Sequence, residues 1–252
     1  ARQAPGNIAT LILPADAAWG ELPADTPAPP VASLAAAPST TQEAVRAAAQ
    51  AIRAGQGAAL MLGGMALREP ALAVAGRIAR ATGVRLLSPT SNRRTERGVN
   101  RTPVTRVPYP VDQAVALLKD VRQLILVGAS APVAFFAYPG KPSLLAPQDQ
   151  APIVLGTPEQ DLLQALQWLA DELGIAATAP VLLPAAAPAD MPRAGALTGT
   201  AVNIITARLL PENAIVCDES VTQGREFPAI SATSAPHDWL QLTGGAIGIG
   251  LP

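Results

Sequence analysis

Residues 57–87, GAALMLGGMALREPALAVAGRIARATGVRLL, contain the stretch that decides the fold. Gly57 to Leu62 is a short apolar run of the length of a buried strand, and the pair Gly63-Gly64 follows it as a tight turn. Apolar residues then recur at helical spacing, and Gly83 follows them as a left-handed C-terminal cap; they are Ala71, Val74, Ala75, Ile78 and Ala79. Val84 to Leu87 is predicted to be the next strand.

The same alternation continues on both sides of this stretch. Apolar spacing predicts helices at 42–54, 111–119 and 158–173 and strands at 123–127 and 153–155. Thr40 and Thr41 are both candidates to cap the first of these helices. Strands that alternate with helices are typical of a parallel sheet covered on both faces. We therefore predict an α/β, Rossmann-like central domain.

Two proline-rich segments, 22–39 and 176–192, predict extended connectors because proline removes backbone hydrogen bonds. Before the first, Ile8 to Asp16 has the pattern of a buried strand that runs into a loop. After the second, we predict a helix over 198–210 and a strand over 214–217. The predicted organisation is therefore five segments, with bounds 1–21, 22–39, 40–175, 176–192 and 193–252.

The composition excludes several classes of partner and site. A net charge of −1 and 3% aromatic residues disfavour a nucleic-acid partner. The single cysteine, Cys217, and the single histidine, His237, exclude an internal disulfide and a cluster of soft metal ligands. The absence of a disulfide framework predicts a cytoplasmic location. Prolines interrupt the longest uncharged apolar stretch, 173–189, so we also predict no membrane segment.

Two stretches are candidates for chemistry. The polar loop Asp218 to Gly224 leaves the carboxyl end of a predicted strand, where ligands bind in open parallel sheets. Its carboxylates and hydroxyls suit a metal-diphosphate group, although Ser220 is also a candidate helix cap. The terminal stretch 244–252, GGAIGIGLP, has four glycines within positions 244–250. Such glycines allow backbone to approach a ligand closely, but a purely structural turn has the same pattern.

The remaining distinctive residues have ordinary interpretations. We predict that His237 is solvated in a loop and that Cys217 is a small hydrophobic residue in an apolar strand. The basic cluster is predicted to be a solvated loop paired with Glu96, with binding of a phosphate or an acidic partner as the alternative. The cluster comprises Arg93, Arg94, Arg97 and Arg101. The isolated tryptophans 19, 168 and 239 are expected to pack, and Gly63-Gly64 either binds a nucleotide or lets a helix pack closely.

The order of these features resembles that of the thiamine diphosphate-dependent decarboxylase and synthase family, in its acetolactate synthase-like and benzoylformate decarboxylase-like branch. The resemblance covers the whole chain. It implies that 1–21 ends a pyrimidine-binding domain, that 40–175 is the central domain, and that 193–252 begins a diphosphate-binding domain. It also implies Mg²⁺ as a second cofactor and a homodimeric or homotetrameric protein.

The resemblance implies particular cofactor contacts. Glu219, Ser220 and Thr222 are placed near the diphosphate, with Val221 a departure where a hydroxyl is expected. Gly245 and Ala246 are placed near the aminopyrimidine. Ile247 is placed where a bulky apolar residue holds the cofactor in its bent shape.

The resemblance further implies that 1–252 is a fragment without catalytic or metal-binding residues of its own. The activating glutamate is expected before Ala1, and the Gly-Asp-Gly metal motif after Pro252, so the fragment alone is expected to be inactive. The implied parent enzyme is a decarboxylase or carboligase acting on a small-molecule 2-keto acid. Nothing in the sequence specifies flavin (FAD). The alternative is a nucleotide-binding or structural α/β module without catalysis.

Overall fold

A computed structural model describes residues 2, 5–6, 8–55, 57–146, 149–184, 187–243, 247–248 and 250. Among them are seven α-helices: α1 Ala15–Trp19, α2 Gln42–Arg53, α3 Ala71–Thr82, α4 Val111–Leu118, α5 Leu162–Glu172, α6 Gly199–Leu209 and α7 Phe227–Ile230. The strands are β1 Ala58–Leu62, β2 Arg85–Ser88, β3 Thr95–Arg97, β4 Thr105–Arg106, β5 Gln123–Val127, β6 Ile153–Gly156, β7 Ala214–Asp218 and β8 His237–Gln241. Short 3-10 helices span Gly64–Leu67 and Ser231–Thr233.

The predicted parallel sheet is confirmed. Five strands lie in the order β4-β2-β1-β5-β6, and every pairing between them is parallel. The chain leaves β1 toward β2 on one side and later returns to β5 on the other, so the order of the strands reverses between β1 and β5. In such sheets the crevice at the carboxyl ends of the two central strands is the usual ligand position.

Both faces of this sheet are covered, as predicted. Leu60 and Leu62 point into a core shared with α2, α3 and α5, whereas Ala59 and Met61 point into a second core shared with α4. Successive residues of a strand project to opposite faces, so an uninterrupted apolar run is what a strand buried on both sides requires.

The helix ends follow local chemistry. Thr41, rather than Thr40, caps α2, because its hydroxyl accepts a hydrogen bond from the Ala44 amide at 3.2 Å. Thr40 is buried and donates to the carbonyl of Leu155. Gly83 ends α3 with a φ of 74°, as predicted from the sequence.

One predicted helix boundary and one predicted strand are wrong. Helix α5 begins at Leu162 and not at residue 158, because Gln160 closes a turn with Thr157 and Asp161 caps the helix. The predicted strand over residues 8–16 does not form: Ile8 is 99% exposed, and α1 begins at residue 15. An apolar run forms a buried strand only beside a sheet that accepts it, and no described strand pairs with this run.

A second sheet has three strands in the order β3-β8-β7. Strands β7 and β8 are parallel, and β3 pairs antiparallel with β8. Strand β3 comes from the 40–175 segment, so that segment contributes a strand to a sheet otherwise built from the 193–252 segment. This pairing was not predicted, since β3 has three residues and two of them are charged.

The tryptophans differ from one another. Trp239 is 2% exposed, and Trp168 packs against the larger core, so both have the predicted packing role. Trp19 is 87% exposed, and for this residue the prediction is wrong. No residue of its helix, α1, is buried, so α1 does not pack against a core that could cover Trp19.

Candidate functional site

The carboxyl edge of the five-stranded sheet is closely packed. The Gly63 amide donates to the Val127 carbonyl at 2.9 Å, and a Cβ atom on Gly63 would lie 2.4 Å from the Gly128 carbonyl oxygen. A Cβ atom on Gly128 would lie 2.3 Å from Leu162 Cδ1. Glycine is therefore needed here so that the strand ends and α5 can approach one another, which favours the packing interpretation of Gly63-Gly64 over nucleotide binding.

The Asp218 loop, residues 218–224, leaves the carboxyl end of β7. Asp218 Oδ1 accepts hydrogen bonds from the Ser220 amide at 2.9 Å and from the Ser220 hydroxyl. The loop folds back so tightly that a Cβ atom on Gly224 would overlap Ser220 Oγ at 1.7 Å. Asn203 of α6 anchors it by donating to the Gln223 carbonyl at 2.7 Å.

Ser220 does not cap a helix, so that alternative is wrong. The next helix, α7, begins at Phe227, with Glu226 at its N-cap position and no side-chain cap. The Ser220 hydroxyl donates to Asp218 instead, which keeps both side chains at the end of β7. Thr222 and Val221 are exposed in the same loop.

Glu219 connects the Asp218 loop to the terminal glycine turn. Its Oε1 accepts a hydrogen bond from the Gly250 amide at 2.7 Å. Ile247, in the same terminal stretch as Gly250, is 81% exposed, which leaves its apolar side chain free to contact a ligand. Gly245 and Ala246 lie outside the described residues. The two stretches singled out in the sequence are thus adjacent in space, although 31 positions separate the bonded residues.

The basic cluster is only partly a solvated loop. Arg101 pairs with Glu96 at 3.7 Å as predicted, and Arg93 donates to backbone carbonyls of residues 5 and 6. Arg94 instead forms a two-point ion pair with Asp238 of β8, with Nε at 2.6 Å from Oδ1 and Nη2 at 2.5 Å from Oδ2. Arg97 lies over the ring of Trp239. The pairing of β3 with β8 places these two side chains against the second sheet.

His237 and Cys217 occupy the opposite environments from those predicted. His237 is 4% exposed in β8, and Cys217 is exposed on β7. Neighbouring parallel strands share faces, so Val216 and Asp218 lie on the face of Trp239, whereas Ile215 and Cys217 lie on the other face. That other face leaves Ile215 68% exposed, and the apolar composition of β7 therefore does not bury Cys217.

Burial lowers the pKa of His237, and the nearby Arg97 lowers it further, although a hydrogen bond to the Ala235 carbonyl and the charge of Asp238 raise it. In the unfolded chain, His237 takes up a proton near the ordinary histidine pKa of about 6.5. In the folded chain, His237 takes up a proton only at a lower pH, so protonation favours the unfolded chain. The stabilisation from neutral His237 is therefore present above pH 6.5 and is lost as the pH falls below that value.

We expect His237→Gln to reduce the loss of stability between pH 7.5 and 5.5. Urea unfolding of both proteins at the two pH values measures this difference. An equal loss in both proteins would mean that carboxylates, and not His237, cause the pH dependence in this range.

Among the described residues, no group of three or more His, Cys, Asp or Glu side chains could hold a metal ion. Across the same ranges, no helix is long and apolar enough to cross a membrane.

The chain has a similar relative among curated proteins. No protein-family profile matches it. It is 44% identical over 248 residues to a protein of Mycobacterium tuberculosis (strain H37Rv) that bears the provisional name acetolactate synthase large subunit IlvX. The match covers 98% of the chain and 46% of the relative, so the chain spans about half the length of this relative.

Two solved structures share the fold. One is the thiamine diphosphate-dependent 4-hydroxybenzoylformate decarboxylase of Rhodococcus jostii RHA1, with a TM-score of 0.60 and 16% identity over 83% of this chain and 42% of that one. The other, from Mycobacterium smegmatis, is provisionally described as a thiamin diphosphate-dependent enzyme; it has a TM-score of 0.61 and 18% identity over 89% of this chain and 46% of that one. These comparisons confirm the α/β fold and the resemblance to thiamine diphosphate-dependent proteins.

Proposed function

We propose that this chain is part of a thiamine diphosphate-dependent enzyme that acts on 2-keto acids, as a decarboxylase or an acetolactate synthase-like carboligase. The single observation that carries the proposal is the hydrogen bond from the Gly250 amide to Glu219. It joins the Asp218 loop to the terminal turn, the two stretches that would contact opposite ends of the cofactor. The 44% identity to a protein named as an acetolactate synthase large subunit supports the same conclusion.

The residues present fit part of the cofactor. Thr222 is exposed, and its hydroxyl has no hydrogen-bond partner among the described residues, so it is available to a phosphate oxygen. The Ser220 hydroxyl donates its hydrogen to Asp218, so in this arrangement Ser220 holds the loop in shape, and Glu219 positions the turn. Ile247 offers an apolar surface against which a bent cofactor would rest. Gly245 and Ala246 are proposed as the backbone contacts to the aminopyrimidine.

Thiamine diphosphate, when bound, supplies a carbanion that adds to the substrate carbonyl and stores the electrons released with carbon dioxide. The role of this chain in that chemistry is to bind and orient the cofactor. A diphosphate also needs a cation, and we propose that residues outside 1–252 complete a Mg²⁺ site.

The proposed domain organisation follows the same resemblance. Residues 1–21 would end the pyrimidine-binding domain, 40–175 would form the central domain, and 193–252 would begin the diphosphate-binding domain. Strand β3 modifies this division, because it lies in the sheet of the last segment. The cytoplasmic location and the homodimeric or homotetrameric state stay predictions.

The test is 2-keto acid consumption by the full-length protein. We expect consumption of a small or an aryl 2-keto acid that requires both thiamine diphosphate and Mg²⁺ and that stops when the metal is chelated. Calorimetric titration with the cofactor provides an independent measurement. A protein that neither binds the cofactor nor consumes any 2-keto acid would be the alternative, a structural or nucleotide-binding α/β module.

A further inference from the structure

A row of aromatic rings lies on the surface after the end of β5. Residues 132–145 form a hairpin, called here the aromatic hairpin, in which Val133 and Leu144 form an isolated antiparallel bridge. Successive rings contact one another at centroid distances of 5.5, 4.8 and 6.0 Å, in the order Tyr109, Phe135, Phe136 and Tyr138. Both tyrosines and two of the three phenylalanines of the chain are in this row. A chain that is poor in aromatic residues therefore concentrates its rings at one surface.

These rings are part of an exposed apolar surface, the aromatic patch. Each of its six residues is between 38% and 59% exposed; they are Tyr109, Val133, Phe135, Phe136, Tyr138 and Leu144. Since a fully buried aromatic side chain covers roughly 150–250 Å², the patch presents on the order of 500 Å² of surface to solvent. Apolar patches of this size on soluble proteins are often interaction sites.

The aromatic hairpin is held in one position. Leu145 is buried in the second core, and Ala134 packs against the same core. The Ala134 amide donates to the Ser143 carbonyl at 2.8 Å, which joins the two arms of the hairpin. Near the tip, Lys141 forms an ion pair with Asp112 of α4 at 2.5 Å. A surface that is already ordered loses less conformational entropy when it is covered, so the patch is suited to docking.

The neighbouring segments do not account for the patch. Among the described residues, every hydrogen bond, ion pair and ring contact of Tyr109 and the aromatic hairpin is made within the 40–175 segment. The described parts of 1–39 and 176–250 therefore leave the rings open.

The charge of the patch indicates what kind of surface fits it. Lys141 is the single charged residue in the sequence of the aromatic hairpin, and Asp112 balances it. A strongly charged partner would find no complementary charge here, whereas a nearly neutral apolar surface would match the patch. A second copy of the chain presents such a surface, with one cation and one anion at its rim that can pair reciprocally about a twofold axis.

The area is sufficient for such a contact. Two aromatic patches face to face would bury about 1,000 Å² in total, which reaches the lower limit of specific interfaces. We propose that the aromatic patch is a contact between two copies of this chain, related by a twofold axis, in which each patch covers the other. The inference goes beyond the proposed function, because it does not depend on what the chain binds or converts.

The experiment is sedimentation equilibrium of the full-length protein. We expect Phe136→Glu to raise the Kd for association at this contact at least a hundredfold, and so to halve the molar mass at concentrations where the wild type is associated. The reason is that the change places a carboxylate among apolar rings twice in each contact. Phe136→Ala adds no charge and should raise the same Kd about tenfold. The matched control is Val154→Glu, at a similarly exposed apolar position of β6 outside the patch, which should associate like the wild type.

Circular dichroism and thermal unfolding show whether each variant folds, and Phe136→Ala decides the question if Phe136→Glu does not fold. A wild type that is monomeric, or folded variants with the wild-type mass and Kd, would overturn the inference. If the mass is unchanged but the unfolding midpoint falls, residues outside 1–252 cover the patch. If both are unchanged, the patch serves a different protein or none. Each of these results would overturn the contact between copies and leave the proposed function standing.

Discussion

Gly128→Ala should lower the free energy of unfolding of this chain by about 3 kcal/mol, from overpacking together with left-handed backbone strain. Gly128 has a φ of 66°, and a Cβ atom there would lie 2.3 Å from Leu162 Cδ1 and 2.8 Å from the Gly63 carbonyl oxygen. The Gly63 backbone is held by its hydrogen bond to Val127, so it cannot move away without breaking the packing of β1 against β5.

Gly83→Ala is the matched control. Gly83 has a similar φ of 74°, but a Cβ atom there would have no neighbour within 4 Å. The control therefore carries the backbone strain without the overlap, and we expect it to cost about 1 kcal/mol. Urea unfolding followed by circular dichroism measures both variants. Equal losses would mean that α5 moves aside and that the close packing at the carboxyl edge does not restrict residue 128.

Ile247→Ala should weaken thiamine diphosphate binding by the full-length protein about tenfold or more, with a matching loss in kcat/KM. The reason is that a buried isoleucine contributes about 2 kcal/mol of apolar contact. In this chain Ile247 is 81% exposed, so the substitution removes no contact that stabilises the fold. The expected signature is therefore a large change in cofactor affinity with an unchanged unfolding midpoint.

Ile215→Ala is the control for this prediction. It makes the same substitution at an exposed position of β7, on the face opposite Asp218. We expect cofactor affinity close to that of the wild type. If Ile247→Ala also binds the cofactor normally, the terminal turn does not support the cofactor, and the assignment of Ile247 is wrong.

The sequence by itself determined four of the five strands of the parallel sheet and the helices that cover it, because their signals are local. Short apolar runs such as 58–62 and 124–127, bounded by turns and alternating with helices, predict strands buried on both faces, and Gly83 ends its helix through its own backbone conformation. The Asp218 loop and the terminal glycines were also visible in the sequence as candidate sites. Their assignment to a cofactor came from the resemblance of the whole chain, and not from their spacing.

Only the tertiary structure decided which distant segments meet. The pairing of β3 with β8 buries His237 and brings Arg94 to Asp238, and the packing of β4 beside Trp239 brings Arg106 toward the Asp218 loop. Residues 95–97 and 105–106 carry no periodic signal, because strands of three and two residues are too short to show one. The open face of β7 likewise exposes Cys217 despite its apolar neighbours. Burial is a property of both partners in a contact, so one segment of sequence cannot specify it alone.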